Sequence, residues 1–351
     1  MSNLASRSQK RKKKGRKVLL LISLFSVLLL VGCATYVTLK IANVTSNVQV
    51  DLDRGAKSEK RVEAVDPSKD NISILLLGED RRPDEPISRT DAIMVATFNK
   101  SDNSIILTNI PRDTRVNIAG RERIDKINHA HAFGGVDMII DTVEEFLEIP
   151  IDYFIRVDFQ AFIAIVDAIG GIEVEVPFDF TERGTDRVWY EFTEGVQHLN
   201  GEEALAYTRM RKQDPRGDIG RGQRQQQVMQ AIIEKSATIQ SIARFDDVLE
   251  AIQDNISLNL SFGNMVALHS YASSLKSIEQ MQIRGENVYI NSIYYYDPVL
   301  ESVAEVQTRL QEHLGLIEPR TLQVDGEGVE YDYEGSGTSQ VETEPEAVTT
   351  N

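Results

Sequence analysis

The fold is decided by the stretch ISILLLG at residues 72–78, a compact apolar run that ends at a glycine. Two further apolar runs follow, AIMVATF at 92–98 and SIILT at 104–108, and the polar turn NKSDN at 99–103 joins them. Short continuous apolar runs between turn residues are typical of strands that are buried on both faces. The three runs therefore predict neighbouring buried strands.

Helix and strand patterns alternate in the residues that follow. Apolar residues recur at helical spacing at 136–147, 159–169 and 218–239, and strand-like runs occur at 153–157 and 172–176. A chain that alternates in this way packs its helices against a sheet. We expect an α/β fold with helices on both faces of a central sheet, which is a three-layer α/β/α arrangement.

The charges of the 351-residue chain are unevenly distributed around a formal net charge of −16. Residues 1–17 contain eight bases and no acid, whereas the chain from residue 40 onward contains 30 bases and 54 acids. A strongly acidic body repels the phosphate backbone of DNA or RNA. We therefore expect no nucleic-acid partner, and any anion site must be a local cluster of bases.

Residues 18–39 form a run of 22 residues without a charge. A helix of this length spans a hydrocarbon core of roughly 30 Å. Because an excess of Lys and Arg marks the cytoplasmic side, we predict a single-pass transmembrane helix in the cell membrane, in contact with membrane lipids. Residues 1–17 would lie in the cytoplasm and the rest of the chain outside. Two alternatives stay open, a cleaved secretory signal and a lipoprotein signal with Cys33 as the lipidated residue.

The exported part divides by composition into three regions. Residues 40–70 are polar and of mixed charge, which predicts an extracellular stalk. Residues 325–351 contain eight acids and no base, and such a segment cannot bury a core, so we predict an acidic disordered tail. Residues 71–324 remain as the folded body.

Two segments of this acidic body concentrate positive charge. The first extends from Asp80 to Lys126 and contains the bases Arg81, Arg82, Arg89, Arg112, Arg115, Arg121, Arg123 and Lys126. The second extends from Arg209 to Arg224, with six bases against two acids, and its bases are Arg209, Arg211, Lys212, Arg216, Arg221 and Arg224. The counts alone also fit an ordinary solvated surface.

The predicted helix at 218–239 favours an anion pocket over a solvated surface. At helical spacing, Arg221 and Arg224 fall on the same stripe as Val228 and Ile232, which should face the core. A guanidinium group on a buried face is costly unless an anion meets it. Both arginines also lie near the helix N-terminus, where free N–H groups and the helix dipole favour a phosphate.

Two carboxylates are predicted to meet in the first segment. Asp80 lies just past the first strand and Asp91 opens the next strand, so adjacent strands would bring them together. Two oxygen ligands among arginines suit a Mg²⁺ ion that keeps several waters and also contacts phosphate oxygens. Two unrelated loop aspartates, or a purely structural network of ion pairs, are the alternatives that the sequence leaves open.

Several short motifs occur in a fixed order over residues 72–235. They are LLLGEDR (75–81), SRTD (88–91), IPRDT (110–114), KINHA (126–130), GG (134–135), DAIGGIEV (167–174), LNGEEAL (199–205) and YTRMR (207–211), followed by DP (214–215), GD (217–218), GR (220–221) and RQQ (224–226). Together, and after the predicted anchor, they resemble the LytR-CpsA-Psr family of bacterial envelope enzymes.

The resemblance implies a fold and an activity. The fold would be an extracellular α/β domain with a mixed central sheet, helices on both faces and a groove for a polyprenyl chain. The activity would be a phosphotransferase that moves an anionic glycopolymer, such as teichoic acid or capsular polysaccharide, from a polyprenyl-pyrophosphate carrier to a sugar hydroxyl of peptidoglycan. A polyprenyl-pyrophosphate hydrolase and a non-catalytic envelope regulator are the alternatives.

The resemblance also implies roles for individual residues. Asp80 and Asp91 would hold Mg²⁺. The catalytic residues would be Asp80, Asp91, Arg89 and Arg112. The pyrophosphate would be bound by Arg89, Arg112, Lys126, Arg209, Arg211, Arg221 and Gln225, and local position adds Arg115 and Arg224.

Three polar positions stay outside this set. Glu79 stands where the family often has a different residue, which leaves its role open. His129 and His131 alternate in a way that resembles metal ligands, but no third partner is evident in the sequence. We expect both histidines to pack or to form hydrogen bonds.

Overall fold

The computed structural model describes residues 48–80, 89–236, 252–272 and 275–318. The predicted cytoplasmic segment 1–17, the predicted transmembrane helix 18–39 and the predicted acidic tail 325–351 lie outside the described residues. Within the described ranges, no helix combines the length and the apolar composition that crossing a bilayer requires.

The central sheet of the described residues has six strands. In spatial order they are β11 (Ile256–Leu258), β6 (Tyr153–Asp158), β1 (Ile72–Asp80), β2 (Arg89–Asn99), β3 (Ser104–Asn109) and β12 (Ser277–Gln282). The three predicted apolar runs form the antiparallel strands β1, β2 and β3 at its centre. Strand β6 is parallel to β1 and β12 is parallel to β3, so the sheet is mixed, as expected.

Helices and smaller strand pairs complete the described part of the chain. The helices are α1 (Ile127–Leu147), α2 (Phe159–Ala168), α3 (Gly201–Arg209), α4 (Asp218–Ser236), α5 (Phe262–Ala272) and α6 (Leu300–Leu314). The strand pairs are β4 (Arg115–Ile118) with β5 (Arg123–Lys126), β7 (Ile172–Val176) with β10 (Gly195–Leu199), β8 (Phe180–Arg183) with β9 (Trp189–Phe192), and β13 (Gly285–Ile290) with β14 (Ile293–Pro298).

Both faces of the sheet are covered by helices. Side chains alternate along β1, so Leu75 and Leu77 join a buried cluster with residues of α1 and α6. Leu76 points to the opposite face, where it packs in a cluster with Met229 and Ile233 of α4. The expected layering, with the sheet between two helical layers, is therefore confirmed.

Helix α1 begins earlier than the pattern at 136–147 indicated. It starts at Ile127, directly after Lys126, and it is interrupted at Gly134 and Gly135, whose backbone angles are not helical. Gly135 has a φ of 67°, which glycine adopts without strain. The two glycines allow the helix to change direction between the end of β5 and the face of the sheet.

The described part of the predicted stalk differs from the expectation. Val48 and Leu52 are buried, and the backbone of Gln49 bridges to Leu258 of β11. Arg54 pairs with Glu144 of α1, and Arg61 pairs with the buried Asp152. Residues 48–70 therefore pack against the body, because their few apolar side chains and two arginines have partners there.

Candidate functional site: a cationic cluster at one end of the sheet

A β-bulge sets the position of Asp91. Strands β1 and β2 pair Gly78 with Ala92 and then Glu79 with Thr90, so Asp91 is the extra residue between them. A bulge of this kind redirects a side chain that strict alternation would send elsewhere. The Asp91 carboxylate accepts a hydrogen bond from Nη1 of Arg112. One pair further along, Asp80 stands opposite Arg89, so the two aspartates lie on adjacent strands, as predicted.

Asp113 connects the loop after β3 to the end of β5. Its carboxylate lies 2.7 Å from Nζ of Lys126 and 3.5 Å from Nε of Arg112. The backbone fixes this loop as well, because the N–H of Asn128 donates to the carbonyl of Arg112 at 3.2 Å. Asp113 therefore holds two of the predicted phosphate ligands side by side.

The first turn of α4 adds the third carboxylate, Asp218. Its Oδ1 lies 3.0 Å from Nη2 of Arg221 and 3.4 Å from Nε of Arg211. A negative charge is favourable at this helix position because of the helix dipole. Gly222 brings the turn close to the sheet, since a Cβ at this position would lie 2.4 Å from Nδ2 of Asn109 at the end of β3.

Arg221 is the least satisfied cation of the site. It is 8% exposed, and its Nε has no hydrogen-bond partner among the described residues. Burial is the largest cause that lowers the pKa of Arg221, and the neighbouring charge of Arg112 lowers it further, against the opposing effect of Asp218. A buried donor without an acceptor costs free energy, so an incoming anion would stabilise this group more than an already paired one.

Arg112 shows the opposite balance. Burial lowers its pKa, but the carboxylates of Asp91, Asp113 and Asp218 together outweigh burial and raise the pKa above its ordinary value. Asp91 and Asp218 act on both Arg112 and Arg221, which places the end of β3 and the start of α4 in one electrostatic site.

We call this site the cationic cluster. Its members are Arg112, Lys126, Arg211 and Arg221 with Asp91, Asp113 and Asp218. Four cations thus meet three carboxylates, which leaves a positive excess in a chain whose net charge is −16. Guanidinium groups bind phosphate through charge-assisted hydrogen bonds, often two at a time.

The other predicted phosphate ligands lie around the cationic cluster or are only partly described. Arg115 is paired with Asp297 at 3.4 Å and stands opposite Lys126 in the β4–β5 pair. Arg209, the last residue of α3, is exposed and stacks over the ring of Phe159 at 5.1 Å. Gln225 is half-buried in α4, and Arg89 is placed by its backbone at the start of β2.

Arg224 does not fit its predicted role as a phosphate ligand. It is 2% exposed, and each of its three guanidinium nitrogens has a partner inside the protein. Nη1 donates to the carboxylate of Asp214, Nε donates to the carbonyl of Tyr207 at 3.1 Å, and Nη2 donates to the carbonyl of Met210. The helical stripe correctly indicated that the Arg224 side chain is buried. The anion that pairs with it, however, is the carboxylate of Asp214 in the same chain, and not a bound phosphate.

Three residues of the site were missed by sequence reasoning. Asp113 and Asp218 lie inside the motifs IPRDT and GD, so their positions next to Arg112 and in the first helical turn were available signals. Tyr294 belongs to the aromatic run YYY at 294–296, which is visible in the sequence but is equally typical of sheet packing. Its ring centroid lies 5.7 Å from Nζ of Lys126, and burial, with Asp218 and Asp113, raises its pKa.

The two histidines and Glu79 form contacts with charged neighbours. Nε2 of His131 lies 3.2 Å from Oε1 of the buried Glu79, and Nη1 of Arg156 lies 3.5 Å from the same oxygen. Nδ1 of His129 lies 3.0 Å from Asp125. No group of three or more His, Cys, Asp or Glu side chains within the described ranges has an arrangement that would hold a metal ion.

Comparison with known proteins identifies the family. The model of the LytR_cpsA_psr family matches residues 35–312. The chain belongs to the LytR-CpsA-Psr family. It is 45% identical over 290 residues to the polyisoprenyl-teichoic acid–peptidoglycan teichoic acid transferase TagU of Halalkalibacterium halodurans, and the match covers 82% of this chain and 94% of the relative. The TagU of Bacillus subtilis is 40% identical, over 88% of this chain and 99% of the relative.

Solved structures of the LytR-CpsA-Psr family are similar to the described fold. A structure of TagT bound to LIIa-WTA superimposes with a TM-score of 0.66 at 38% identity, covering 76% of this chain and 99% of TagT. A structure of the LytR-CPS2A-psr family protein YwtF (TagT) with bound octaprenyl pyrophosphate lipid gives a TM-score of 0.61 at 36% identity, covering 76% of this chain and 99% of that protein.

Proposed function

We propose that this protein is a membrane-anchored transferase that moves an anionic glycopolymer of the teichoic acid type from a polyprenyl-pyrophosphate carrier to peptidoglycan. The observation that carries the proposal is the buried Arg221, whose Nε has no acceptor among the described residues and whose charge is opposed by the nearby Arg112 and Arg211. The transferase names of the TagU relatives and the lipid-bound TagT structures support the same chemistry.

The cationic cluster would bind the diphosphate of the donor through Arg112, Lys126, Arg211 and Arg221. The acceptor hydroxyl oxygen bonds to the phosphorus that carries the glycan, the hydroxyl proton is released to water, and the bond from this phosphorus to polyprenyl phosphate breaks. Negative charge increases on the phosphate oxygens in the transition state, and prepositioned guanidinium groups stabilise it there. Polyprenyl phosphate is a stable anion, so its departure requires no strong general acid.

We propose Asp80 and Asp91 as the magnesium ligands. They lie on adjacent strands, and the bulge in β2 leaves the Asp91 side chain 31% exposed beside Arg112. A site with only two carboxylates suits Mg²⁺, which keeps several waters and takes phosphate oxygens as further ligands. When bound, Mg²⁺ would neutralise charge on the phosphate oxygens, a task it would share with Arg112.

An apolar region that lies between the sheet and α4, farther along the helix from the cationic cluster, would accept the polyprenyl chain. Leu76 and Phe98 of the sheet and Met229 and Ile233 of α4 are only partly buried, although they face one another between the two layers. Their packing against fully buried neighbours makes a continuous apolar surface. A prenyl chain is apolar along its whole length, so covering these side chains would be favourable.

The proposed location is the outer face of the cell membrane, with residues 18–39 as the anchor. The uncharged run and the basic block that precedes it support this orientation. Protease added to intact protoplasts should digest the body and leave a small protected anchor fragment. Protection of the whole body would place it inside the cell and contradict the proposal.

A coupling assay tests the activity directly. The full chain in detergent is incubated with a synthetic polyprenyl-pyrophosphate-linked glycan, peptidoglycan and Mg²⁺, and the coupled product is measured. Asp91→Ala should reduce coupling strongly, because Asp91 orients Arg112 and would bind the metal, whereas the matched control Asp66→Ala changes an exposed aspartate and should couple normally. Coupling by Asp91→Ala at the parent rate would show that the mechanism is wrong.

The same assay separates the alternative functions. Release of the glycan phosphate at equal rates with and without peptidoglycan would identify a hydrolase of polyprenyl pyrophosphates. Binding of the donor without any product would identify a regulator. Omitting Mg²⁺ in the presence of a chelator tests the proposed ion, since coupling should then stop and return when Mg²⁺ is added.

A further inference from the structure

A cavity of about 630 Å³ lies beside α4, between this helix and strands β7 and β12. At about 100° per residue, Gln223 and Gln230 of its wall lie roughly opposite Arg221 on α4. The cavity therefore lies on the side of α4 that is turned away from Arg221, and Gln226 of its wall donates to the carbonyl of Leu107, a residue of the apolar cluster. Its volume falls within the range of about 300–1,000 Å³ that is usual for ligand sites.

The walls of this cavity are lined by glutamine amides. The six are Gln223, Gln226, Gln227, Gln230, Gln280 and Gln282. Several pair with one another, as Nε2 of Gln280 donates to Oε1 of Gln230 at 2.7 Å and Nε2 of Gln223 donates to Oε1 of Gln282 at 3.3 Å. Each glutamine amide offers both a donor and an acceptor. The hydroxyl and amide groups of a ligand can therefore replace the hydrogen bonds that the glutamines form with one another.

Gln226 provides an acceptor that the protein itself leaves unused. It is 1% exposed, and its Nε2 donates to the carbonyls of Leu107 at 2.8 Å and Met281 at 2.7 Å. Its Oε1 is buried and has no hydrogen-bond partner within the described residues. A buried acceptor at a cavity wall favours a ligand that brings a donor, such as a hydroxyl or an N-acetyl N–H group.

The charge of the cavity selects between the two glycans of the proposed reaction. Glu173, Glu175 and Glu234 contribute carboxylates, whereas the lining arginines Arg216 and Arg224 are both paired with Asp214. The negative excess repels the phosphates of an anionic glycopolymer. A glycan of N-acetylated sugars without phosphate groups meets less of this repulsion and matches the amide lining.

We infer that this cavity binds the sugar chain of peptidoglycan, the acceptor. This inference rests on the proposed function. Its near end adjoins the first turn of α4, where Nε2 of Gln282 donates to the carbonyl of Ile219 at 3.4 Å. The opposite side of the same turn carries Arg221, about one helix diameter or ~10 Å away. A sugar chain held in the cavity can thus pass around this turn and present a hydroxyl to the diphosphate.

The test compares the double variant Gln223→Ala/Gln230→Ala with Gln311→Ala, a control glutamine on α6 that donates to the carbonyl of Glu148 far from the cavity. The probes are a soluble peptidoglycan tetrasaccharide free of teichoic acid, a teichoic acid fragment, and octaprenyl pyrophosphate. We expect the double variant to bind the tetrasaccharide at least tenfold more weakly than the parent does. Its binding of octaprenyl pyrophosphate should be unchanged, and only the KM for the acceptor should rise. The control should match the parent on all three probes.

A second variant, Glu173→Gln/Glu175→Gln, tests the charge argument. It should increase the weak binding of the teichoic acid fragment, because it removes carboxylates that repel the phosphates of that fragment. Unchanged tetrasaccharide binding by the glutamine double variant would overturn the inference, and so would a loss that affects only the teichoic acid fragment. If the double variant melts early, Gln280→Ala takes its place with the same expected loss.

The two proposals fail in different ways. A parent protein that neither binds octaprenyl pyrophosphate nor couples would refute the proposed function. A parent that couples normally, with a double variant of unchanged acceptor KM, would refute only the assignment of the cavity.

Discussion

Arg61 and Arg221 have similarly sheltered side chains, 12% and 10% exposed, but the regions around them satisfy the two guanidinium groups differently. Arg61 donates from Nε and Nη2 to the two oxygens of Asp152 at 2.9 and 2.8 Å, and Nη2 also donates to the carbonyl of Asn71 at 3.0 Å. Arg221 shares Asp218 with Arg211 and keeps an Nε without a partner in the part of the chain that the structure describes. One region is closed by its own contacts, and the other has capacity for an anion.

This difference separates structural arginines from ligand-binding arginines. A two-point pair with a buried carboxylate holds segments of the chain together, as Arg61 holds residues 48–70 against the sheet. A buried cation with too few acceptors costs stability in the free protein, and a ligand then restores the missing interactions. The comparison predicts that stability and activity respond separately when the two arginines are changed.

The largest effect on stability is expected from Arg61→Ala. The change leaves the carboxylate of Asp152, whose side chain is 3% exposed, without its cation, and losing one partner of a buried pair costs about 3–5 kcal/mol. Urea unfolding of the full chain in detergent measures the loss, and binding of octaprenyl pyrophosphate to the remaining folded protein should be unchanged. A loss below about 1 kcal/mol would mean that the pair behaves like a surface salt bridge.

Arg221→Ala should show the reverse pattern. Removing one prepositioned donor to a developing phosphate charge costs about 2.7–4 kcal/mol in activation free energy, or a rate reduction of roughly 100- to 1,000-fold. Because Arg221 is under-satisfied in the free protein, its removal should leave the unfolding free energy unchanged or slightly higher. Single-turnover coupling and urea unfolding of the same preparation test both halves, and a large loss of stability would make Arg221 a structural residue like Arg61.

His313 gives the region around Arg61 a pH dependence. Its Nδ1 and Nε2 lie 2.9 Å from the hydroxyl oxygens of Thr97 and Ser104, and its carbonyl accepts from Asn71. Burial, and to a lesser extent Arg309, lowers the pKa of His313 from 6.5 to about 4, while Glu279 and Asp102 oppose the shift. The folded protein therefore resists protonation of this ring at pH values where the unfolded chain accepts the proton.

The sign of the effect follows from proton linkage. Stability from His313 is complete above pH 6.5 and is lost as the pH falls from 6.5 to about 4, by on the order of 3 kcal/mol. Urea unfolding of the parent and of His313→Asn between pH 7.5 and 4 should show a flatter curve for the variant. An equal slope for the two proteins would mean that another group controls the decline.

The same contrast explains how far the sequence determined the site. The helical spacing of Arg221 and Arg224 correctly predicted that both side chains are buried, since helix periodicity is a local property. It did not distinguish their roles, because the partners of Arg224 come from Asp214 and from two carbonyls at the end of α3. Which buried cation receives an internal anion depends on loop geometry that periodicity does not contain.

Long-range pairing accounts for the other differences between expectation and structure. The adjacency of Asp80 and Asp91 followed from the order of the strands, but the bulge that turns Asp91 towards Arg112 depends on the register of β1 against β2. Residues 48–70 have too few apolar positions to show a pattern, and their partners lie about 90 residues later in the chain. Apolar runs therefore predicted the layers well, and the connections between them poorly.

The smallest effect should come from a pair that belongs to neither region. Nη2 of Arg284 lies 2.9 Å from Oε2 of Glu305, with side chains 62% and 57% exposed. An exposed pair is screened by solvent and loses side-chain entropy when it forms, so its net contribution is about 0.2–1 kcal/mol. Glu305→Ala should therefore lower the unfolding free energy by less than about 1 kcal/mol and leave coupling unchanged. The distance of this pair is close to the 2.8 and 2.9 Å at Arg61, so a loss as large as that of Arg61→Ala would show that contact geometry, rather than burial, sets the contribution of an ion pair.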